Sequence, residues 1–119
     1  MGQVLGEVTI RANGKEIKTK AGCVLNPGGY AGTQHLGKGK VIGKSYKYSA
    51  PSIEMVIAAD DDVDVLEINS IRNATLVWEG DNGVSYMMTN AGIGETLASL
   101  REDSGDIAAT YTGDKVVRI

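Results

Sequence analysis

Residues 46–91 read YKYSAPSIEMVIAADDDVDVLEINSIRNATLVWEGDNGVSYMMTNA, and this stretch decides the fold. Apolar and polar residues alternate along four segments of it, which is the period of a half-buried β-strand. Ala50-Pro51-Ser52 separates the first two segments and Asp81-Asn82-Gly83 separates the last two, both with residues typical of turns. The stretch therefore predicts one hairpin over 41–58 and a second hairpin over 74–90.

One short helix is predicted between these hairpins, over residues 62–72. The run from Asp60 to Asp62 offers an N-cap and negative charge at its start, where the helix dipole favours acidic groups. Asn73 suits the helix exit. The residues with the spacing of an apolar helical face are Val65, Leu66, Ile68 and Ile71.

The flanking sequence adds further strands on both sides. Alternation predicts strands near 7–12 and 15–19, joined by Asn13-Gly14, because the turn between two such strands needs residues that accept a positive φ. A last hairpin is predicted from 107–112 and 115–119.

Residues 21–40 lack periodicity and carry six glycines. We therefore expect a long loop there, which a partner would order in an assembly. A chain of 119 residues is one domain by length, 1–119, with residues 1–6 as an N-terminal arm. The predicted fold class is mainly β, with two packed antiparallel sheets in a β-sandwich or half-barrel and one flanking α-helix.

The charge of the chain is acidic overall but uneven along its length. The net charge is −3, and tight binding of nucleic acid needs a basic footprint that this balance does not provide. Seven lysines lie within residues 15–47, whereas the acidic residues are densest over 60–64. Two interpretations remain open: a solvated surface, or a basic face that meets an acidic face on a neighbouring copy.

Two motifs resemble ligand-binding sites but are incomplete. Gly32 to Lys38 has the spacing of a phosphate-binding loop, but Gly39 follows where a Ser or Thr should hold magnesium. Three aspartates at positions 60, 62 and 64 match the first ligands of a calcium loop, but Val65 and Ile71 replace its required Gly and Glu. A nucleotide site and a calcium site are therefore both disfavoured.

Single reactive residues do not add up to a catalytic site either. His35 is the one histidine and Cys23 the one cysteine, so neither has the partners of a metal site or of an activated nucleophile. No segment reaches the length of a membrane span. We predict a protein that is not an enzyme, with no catalytic residues, cofactor or metal and no membrane association.

The sheet-forming segments, taken together and in order, resemble the tail tube proteins of contractile-tailed phages, in particular the short tube protein of Mu-like phages. The resemblance runs over nearly the whole chain, and none of its segments is a chemical motif. The segments are the opening strand with Asn13-Gly14, then residues 43–51, 53–55, 64–68, 82–86 and 89–91, and the closing segments 105–107 and 111–113.

The resemblance implies a structural virion protein. Six copies would form a ring whose inner sheets join into one barrel, and rings would stack helically into the tube inside a contractile sheath. DNA and the tape measure protein would pass through the lumen without specific binding. Partners would be the chain itself, the tail sheath protein, the baseplate hub and the tail terminator. The protein would be located in the virion tail, after assembly in the host cytoplasm.

The predicted roles of individual residues follow from their positions. The hairpin 41–58 and strands 74–79 and 84–90 would supply the barrel, with 106–112 as the substitute, and the helix would lie on the outer wall near the sheath. Candidates for the lumen wall are Lys44, Glu54, Glu79 and Ser85. Candidates for contacts between rings or subunits are Asn26, Tyr30, His35, Lys38 and Lys40. Core or interface residues are Tyr46, Tyr48, Leu66, Ile68, Trp78, Tyr86 and Tyr111.

Three other functions remain as alternatives. A monomeric β-barrel that binds a small ligand would be a stable monomer, with loop 21–40 lining its pocket. A tube subunit of a phage-like secretion device would share the fold and the assembly. An enzyme on a β scaffold would need a catalytic set that the sequence does not offer.

Overall fold

The computed structural model describes residues 2–119 and confirms a mainly β chain with antiparallel sheets and one short helix. The elements are β1 Val8–Ala12, β2 Lys15–Ile17, β3 Val24–Asn26, β4 Gly29–Gly37, β5 Lys40–Ser49, β6 Ser52–Ala58, α1 Val65–Ser70, β7 Ala74–Gly80, β8 Ser85–Ile93, β9 Ser99–Arg101, β10 Asp106–Thr112 and β11 Lys115–Arg118.

Nine of these strands form one antiparallel sheet in the order β2-β1-β7-β8-β10-β6-β3, with β11 added beside β8 and β9 beside β10. The sheet folds into two layers. The first layer contains β2, β1, β7, β8 and β11, and the second contains β3, β6, β10 and β9. The end of β8 joins the layers where Gly92 and Ile93 pair with β10. A bridge between Thr19 and Ile57 joins them again on the other side.

One core lies between the two layers, and we call the layers together with α1 the body. The alternation read from the sequence decides which side chains enter it, since successive strand residues point to opposite faces. The buried residues include Ile53, Met55 and Ile57 of β6, Leu76 and Trp78 of β7, and Ile107, Ala109 and Tyr111 of β10.

The helix is shorter than predicted and begins later. It spans Val65–Ser70, and its N-cap is Asp64, whose Oδ1 accepts a hydrogen bond from the Leu66 backbone N–H at 2.9 Å. The run from Asp60 to Asp62 forms the preceding turn instead, where Asp60 Oδ1 accepts from the Asp62 backbone N–H at 2.9 Å. Asn73 has a φ of 53°, which fits its predicted place after the helix.

The predicted pairing of strands is wrong at two places. β5 and β6 do not form a hairpin over 41–58, because β5 pairs with β4 while β6 lies between β10 and β3. β10 and β11 do not pair with each other either, because β11 continues the first layer beside β8. β6 and β11 pair with strands distant in sequence, where their apolar side chains reach the core, whereas β5 pairs with its sequence neighbour β4.

The predicted loop over residues 21–40 is also wrong as a description of local structure, because it contains β3 and β4. The sequence did not predict β4 because of its glycines at 29, 32 and 37. Glycine is depleted in strands and has no side chain to alternate between the two faces. The role of residues 21–40 in assembly is a separate matter and stays a prediction.

Candidate functional site: an exposed two-stranded hairpin

β4 and β5 form a separate two-stranded sheet, which we call the hairpin. Its register runs from Gly29 opposite Ser49 at the base to Gly37 opposite Lys40 at the tip. Within residues 2–119 these two strands pair only with each other. Every residue of β5 is exposed, and so is every residue of β4 except the two terminal glycines. An isolated two-stranded hairpin is marginally stable in water, so contact with another molecule would stabilise this element.

One face of the hairpin is aromatic. The rings of Tyr30 and Tyr48, which are directly opposite in the register, meet edge to face with centroids 5.3 Å apart. Tyr46 covers Gly32, where an added Cβ would lie 3.0 Å from the Tyr46 ring. The three tyrosines are nevertheless 51–73% exposed. A contiguous exposed aromatic face of this kind marks an interaction surface.

The opposite face of the hairpin is polar. His35 Nε2 lies 2.8 Å from Ser45 Oγ, and both side chains share this face because the strand alternates. Lys47 lies on the same face, whereas Lys44 lies on the aromatic face with Tyr46. The regular register therefore separates the two lysines onto opposite faces.

The tip of the hairpin combines apolar and basic side chains. Leu36, Val41 and Ile42 are 53–71% exposed, and the register shifts between His35 and Leu36, where β5 carries an extra residue. The turn between the strands adds Lys38 and Lys40. The hairpin 29–49 holds four lysines and no acidic residue, so its tip is an apolar knob with basic edges.

The base of the hairpin is joined to the body by a tight turn that requires glycine. Gly28 has a φ of 73°, and a Cβ there would lie 2.5 Å from the Ser49 carbonyl oxygen. Asn26 Oδ1 accepts a hydrogen bond from the Gly28 backbone N–H at 3.0 Å, which stabilises the turn. Tyr48 Oη donates to the Asp114 carbonyl oxygen at 3.5 Å, a long contact that reaches the body.

The structure places the five residues predicted for contacts between rings at or along this hairpin. Asn26 lies at its base, Tyr30 and His35 lie along its shaft on opposite faces, and Lys38 and Lys40 lie at its tip. Sequence reasoning missed Leu36, Val41 and Ile42. The available signal is the adjacent apolar pair Val41-Ile42 beside lysines and glycines, at the start of the strand predicted from residue 41.

The four residues predicted for a lumen wall lie on three different surfaces. Lys44 is on the hairpin. Glu54 is exposed on the outer face of the second layer. Glu79 and Ser85 are opposite each other on the outer face of the first layer, where Glu79 Oε1 accepts from Arg11 Nε at 3.1 Å. The four residues therefore do not share one sheet face, and their place at a lumen wall stays a prediction.

The residues predicted for a core or interface divide into two groups. Ile68, Trp78 and Tyr111 are buried, and Tyr86 packs against the core. Tyr111 Oη donates to the Ile68 carbonyl oxygen at 3.0 Å, and burial raises the pKa of Tyr111 to about 12. Tyr46, Tyr48 and Leu66 are exposed by 63%, 51% and 75%, so they do not belong to the core of the body. An interface role for these three stays a prediction.

The acidic run before the helix forms ion pairs with Lys18. Lys18 Nζ lies 2.8 Å from Asp60 Oδ2 and 3.4 Å from Asp62 Oδ2. The hydrogen bond with Asp60 raises the pKa of Lys18, and the same bond, followed by the one from the Asp62 backbone, lowers the pKa of Asp60. Three exposed carboxylates lie together here, but exposed acidic groups of this kind are ordinary features of a protein surface.

Among residues 2–119, α1 is six residues long, and no helix has the length and apolar character that a membrane crossing requires.

Comparison with known proteins gives two curated relatives and one family. The family model for phage tail tube proteins matches residues 1–118. The Mu-like prophage FluMu tail tube protein of Haemophilus influenzae is 34% identical over 94 residues, which is 79% of each chain. The tail tube protein of Escherichia phage Mu is 26% identical over 114 residues, covering 96% of this chain and 93% of the phage Mu protein.

Solved structures share the fold at lower sequence identity. The tube-terminating cap of the anti-feeding prophage has a TM-score of 0.66 and 17% identity, over 94% of this chain and 87% of the cap. The sheath/tube terminator of an extracellular contractile injection system has a TM-score of 0.70 and 12% identity, over 100% of this chain and 97% of the terminator. These two structures support the two-layered fold.

Proposed function

This chain belongs to the phage tail tube protein family, and from that premise we propose that six copies form a ring and that rings stack helically into the inner tube of a contractile tail. Membership of the family makes the chain a structural tail component and not an enzyme. The ring number, the stacking and the passage of DNA are the proposed parts.

The observation that carries the proposal is the exposed hairpin β4–β5. The hairpin has no core of its own, and it exposes three tyrosines and three aliphatic side chains to solvent. Apolar surface of this extent is stable in water only when a partner covers it. In a tube the partner is another copy, and we assign the hairpin to the contact between stacked rings.

The second layer of the body supplies the inner barrel in this proposal. It contributes four strands, β3, β6, β10 and β9, and six copies would give about 24 strands and a backbone barrel about 48 Å across at ordinary strand spacing and tilt. β3 pairs only with β6 in the described part of the chain, so ring closure would give this edge strand a partner.

Charge supports the choice of the second layer. The outward residues of its strands include two acids, Glu54 and Asp106, against one base, Arg101, which lies opposite Asp106, so this face is slightly acidic. An acidic wall repels phosphate, which suits a conduit that must not bind its cargo. Of the four predicted lumen residues we retain Glu54, while Glu79 and Ser85 belong to the other layer and Lys44 to the hairpin.

The remaining partners follow from the same arrangement. The first layer and α1 would face outward, where Leu66 is 75% exposed and would meet the tail sheath protein. The baseplate hub and the tail terminator would contact the two ends of the tube. DNA and the tape measure protein would pass through the lumen without specific binding, after assembly of the tail in the host cytoplasm.

Negative-stain electron microscopy of the purified protein at high concentration tests this function. We expect hollow tubes or stacked rings of uniform width, in the absence or presence of a preassembled baseplate as nucleus. Class averages of end-on views would give the ring number. A protein that stays monomeric at every concentration, even with baseplates added, would exclude the tube.

A phage-like injection device is the second candidate setting for the same tube. The observation that favours it is the shared fold with components of the anti-feeding prophage and of an extracellular contractile injection system. Nuclease digestion of intact particles distinguishes the two, because a phage particle protects packaged DNA and an injection device does not.

A further inference from the structure

We infer that the tip of the hairpin of one copy docks into a groove between α1 and the β1–β2 hairpin of a neighbouring copy. The inference rests on the proposed function, in which the hairpin joins rings, and it names the surface that receives it. The acceptor is a second copy of this chain.

The groove has a volume of about 530 Å³. α1 and the turn before it form one wall, and β1, β2 and the residue after β2 form the other. Its apolar lining consists of Ala12, Ile17, Ile57, Val63, Ile68 and Ile71. A groove of this size falls within the range that encloses a small apolar ligand, so it has room for a few side chains of a hairpin tip.

The rim of the groove is acidic. Glu16, Asp62, Asp64 and Glu67 contribute to its lining, against Lys15 and Lys18. Lys18 is already engaged, since its ammonium group contacts Asp60 and Asp62. When Lys18 and its partner Asp62 are set aside, three acids, Glu16, Asp64 and Glu67, remain against Lys15 around an apolar floor.

The hairpin tip has the complementary chemistry. Leu36, Val41 and Ile42 are exposed and match the apolar floor, while Lys38 and Lys40 flank them and match the acidic rim. Complementary charges at a rim select the partner and orient it, and burial of the apolar centre supplies the affinity.

The N-terminal arm does not fill this groove. Gln3 Nε2 donates to the Asp81 carbonyl oxygen at 3.1 Å, and the Gly6 backbone N–H donates to Asp81 Oδ1 at 2.9 Å. The described arm is thus held at the β7–β8 turn, and Asp81 is not part of the groove lining.

The chain topology places the base of the hairpin and the acidic rim at different ends of β6. β5 ends at Ser49, β6 begins at Ser52 next to the hairpin base, and Asp62 follows the far end of β6. Seven strand residues span roughly 20 Å, and the molecule measures 60 × 38 × 30 Å. A tip that docks on a different surface of the next copy makes a head-to-tail contact, which repeats into helical assemblies.

Single-cysteine cross-linking tests the contact directly. Both proteins carry Cys23→Ser, one carries Ile42→Cys at the tip, and the other carries Glu67→Cys at the groove. The two are mixed, allowed to form tubes and oxidised. We expect a cross-linked heterodimer on non-reducing gels, whereas Ile42→Cys mixed with Glu95→Cys, an exposed loop position away from the groove lining, gives none.

A charge exchange provides an independent measurement. Lys38→Glu with Lys40→Glu should raise the protein concentration needed for tubes about tenfold, because the edges of the tip are then acidic and repel the acidic rim. Adding Glu16→Lys and Glu67→Lys should restore assembly to within about threefold of wild type. Adding Glu95→Lys and Glu102→Lys gives the same net charge and should not restore it.

The outcomes separate this inference from the proposed function. Wild-type tubes without the tip–groove cross-link and without charge rescue overturn the inference and leave the tube function standing. A cross-link that forms within one chain carrying both cysteines, at concentrations too low for assembly, also overturns it, because the tip would then occupy its own groove. If wild type forms no tubes with baseplates present, the proposed function itself fails.

Discussion

The body and the hairpin are both antiparallel β-structure, but alternate strand residues are buried in the body, whereas strand residues are exposed in the hairpin. In β6 the residues Ile53, Met55 and Ile57 are about 1% exposed and enter one core, while the residues between them face outward. In β5, only two residues earlier along the chain, all residues are exposed. The same alternation therefore produces a core in one region and two open faces in the other.

The difference teaches that the two regions have separate tasks. Substitutions in the body change the free energy of folding, because its strand faces are covered within the chain. We expect substitutions in the hairpin to leave the free energy of unfolding nearly unchanged and to act on the proposed contact with another copy. Substitutions should therefore change the free energy of unfolding most in the core of the body and least on the faces of the hairpin.

Trp78→Asp should unfold the protein. Trp78 is 6% exposed within the core, so the change removes an aromatic ring and buries a carboxylate, at a cost of roughly 4 kcal/mol or more. Far-UV circular dichroism and urea titration measure it. The control is Glu79→Ala, the next residue on the outward face, which loses a surface ion pair worth about 0–1 kcal/mol. A cooperatively folded Trp78→Asp protein would contradict the core assignment.

Gly28→Ala should destabilise the junction between body and hairpin by about 1–3 kcal/mol. Gly28 has a φ of 73°, and a Cβ there would lie 2.8 Å from the Pro51 backbone nitrogen as well as close to Ser49. Urea denaturation gives the change. Gly43→Ala is the matched control, because an added Cβ meets nothing within 4 Å there, and it should stay within about 0.5 kcal/mol of wild type. Equal effects at both glycines would show that the junction accepts a Cβ at Gly28 as readily as β5 does at Gly43.

Tyr111 should make the body sensitive to alkaline pH. Its pKa rises from an ordinary 10.0 to about 12 through burial, so the folded state holds the proton longer than the unfolded state does. The stabilisation is complete below pH 10 and is lost as the pH approaches 12. Tyr111→Phe should cost about 1 kcal/mol at pH 7 through the lost hydrogen bond to Ile68.

Urea titrations at pH 7 and pH 11 test this prediction. Wild type should lose more stability between the two pH values than Tyr111→Phe, and the exposed Tyr46→Phe should behave like wild type. An identical alkaline loss in Tyr111→Phe would assign the effect to another group.

Tyr48→Asp should have the smallest effect on folding and a large effect on assembly. Tyr48 is 51% exposed and contacts Tyr30 on the aromatic face, so the free energy of unfolding should change by less than about 1 kcal/mol. Tubes should disappear in electron micrographs, because a carboxylate would then enter the covered face. Tyr48→Phe keeps the ring and should assemble. Tubes of normal width from Tyr48→Asp would show that this face stays exposed.

Local signals were sufficient for the β7–β8 hairpin and for the family. Strands predicted at 74–79 and 84–90 are observed at Ala74–Gly80 and Ser85–Ile93, around a turn in which Gly83 has a φ of 85°. Alternation and turn residues act over a few positions, so they can be read from the sequence. The tail tube resemblance, confirmed by the family match over residues 1–118, came from the order of such segments.

Pairing between distant strands was beyond these signals. The 41–58 hairpin was predicted because its strands are adjacent, but β6 pairs with β10 from about 50 residues further on. Because of its glycines, β4 was not predicted as a strand, and the partner of β5 was therefore missed. Strand pairing depends on which faces can be buried together, and this is a property of the whole chain.

The sequence by itself determined which segments form strands, which residues share a strand face, the acidic start of the single helix, and the family. The tertiary structure alone decided which faces are covered: Tyr111 is 1% exposed, whereas Tyr46, also on an alternating strand, is 63% exposed. The physical reason is that the strand period is local, fixed by backbone geometry. Burial requires a second surface, which is brought by distant parts of the chain in the body and, as we propose, by another copy at the hairpin.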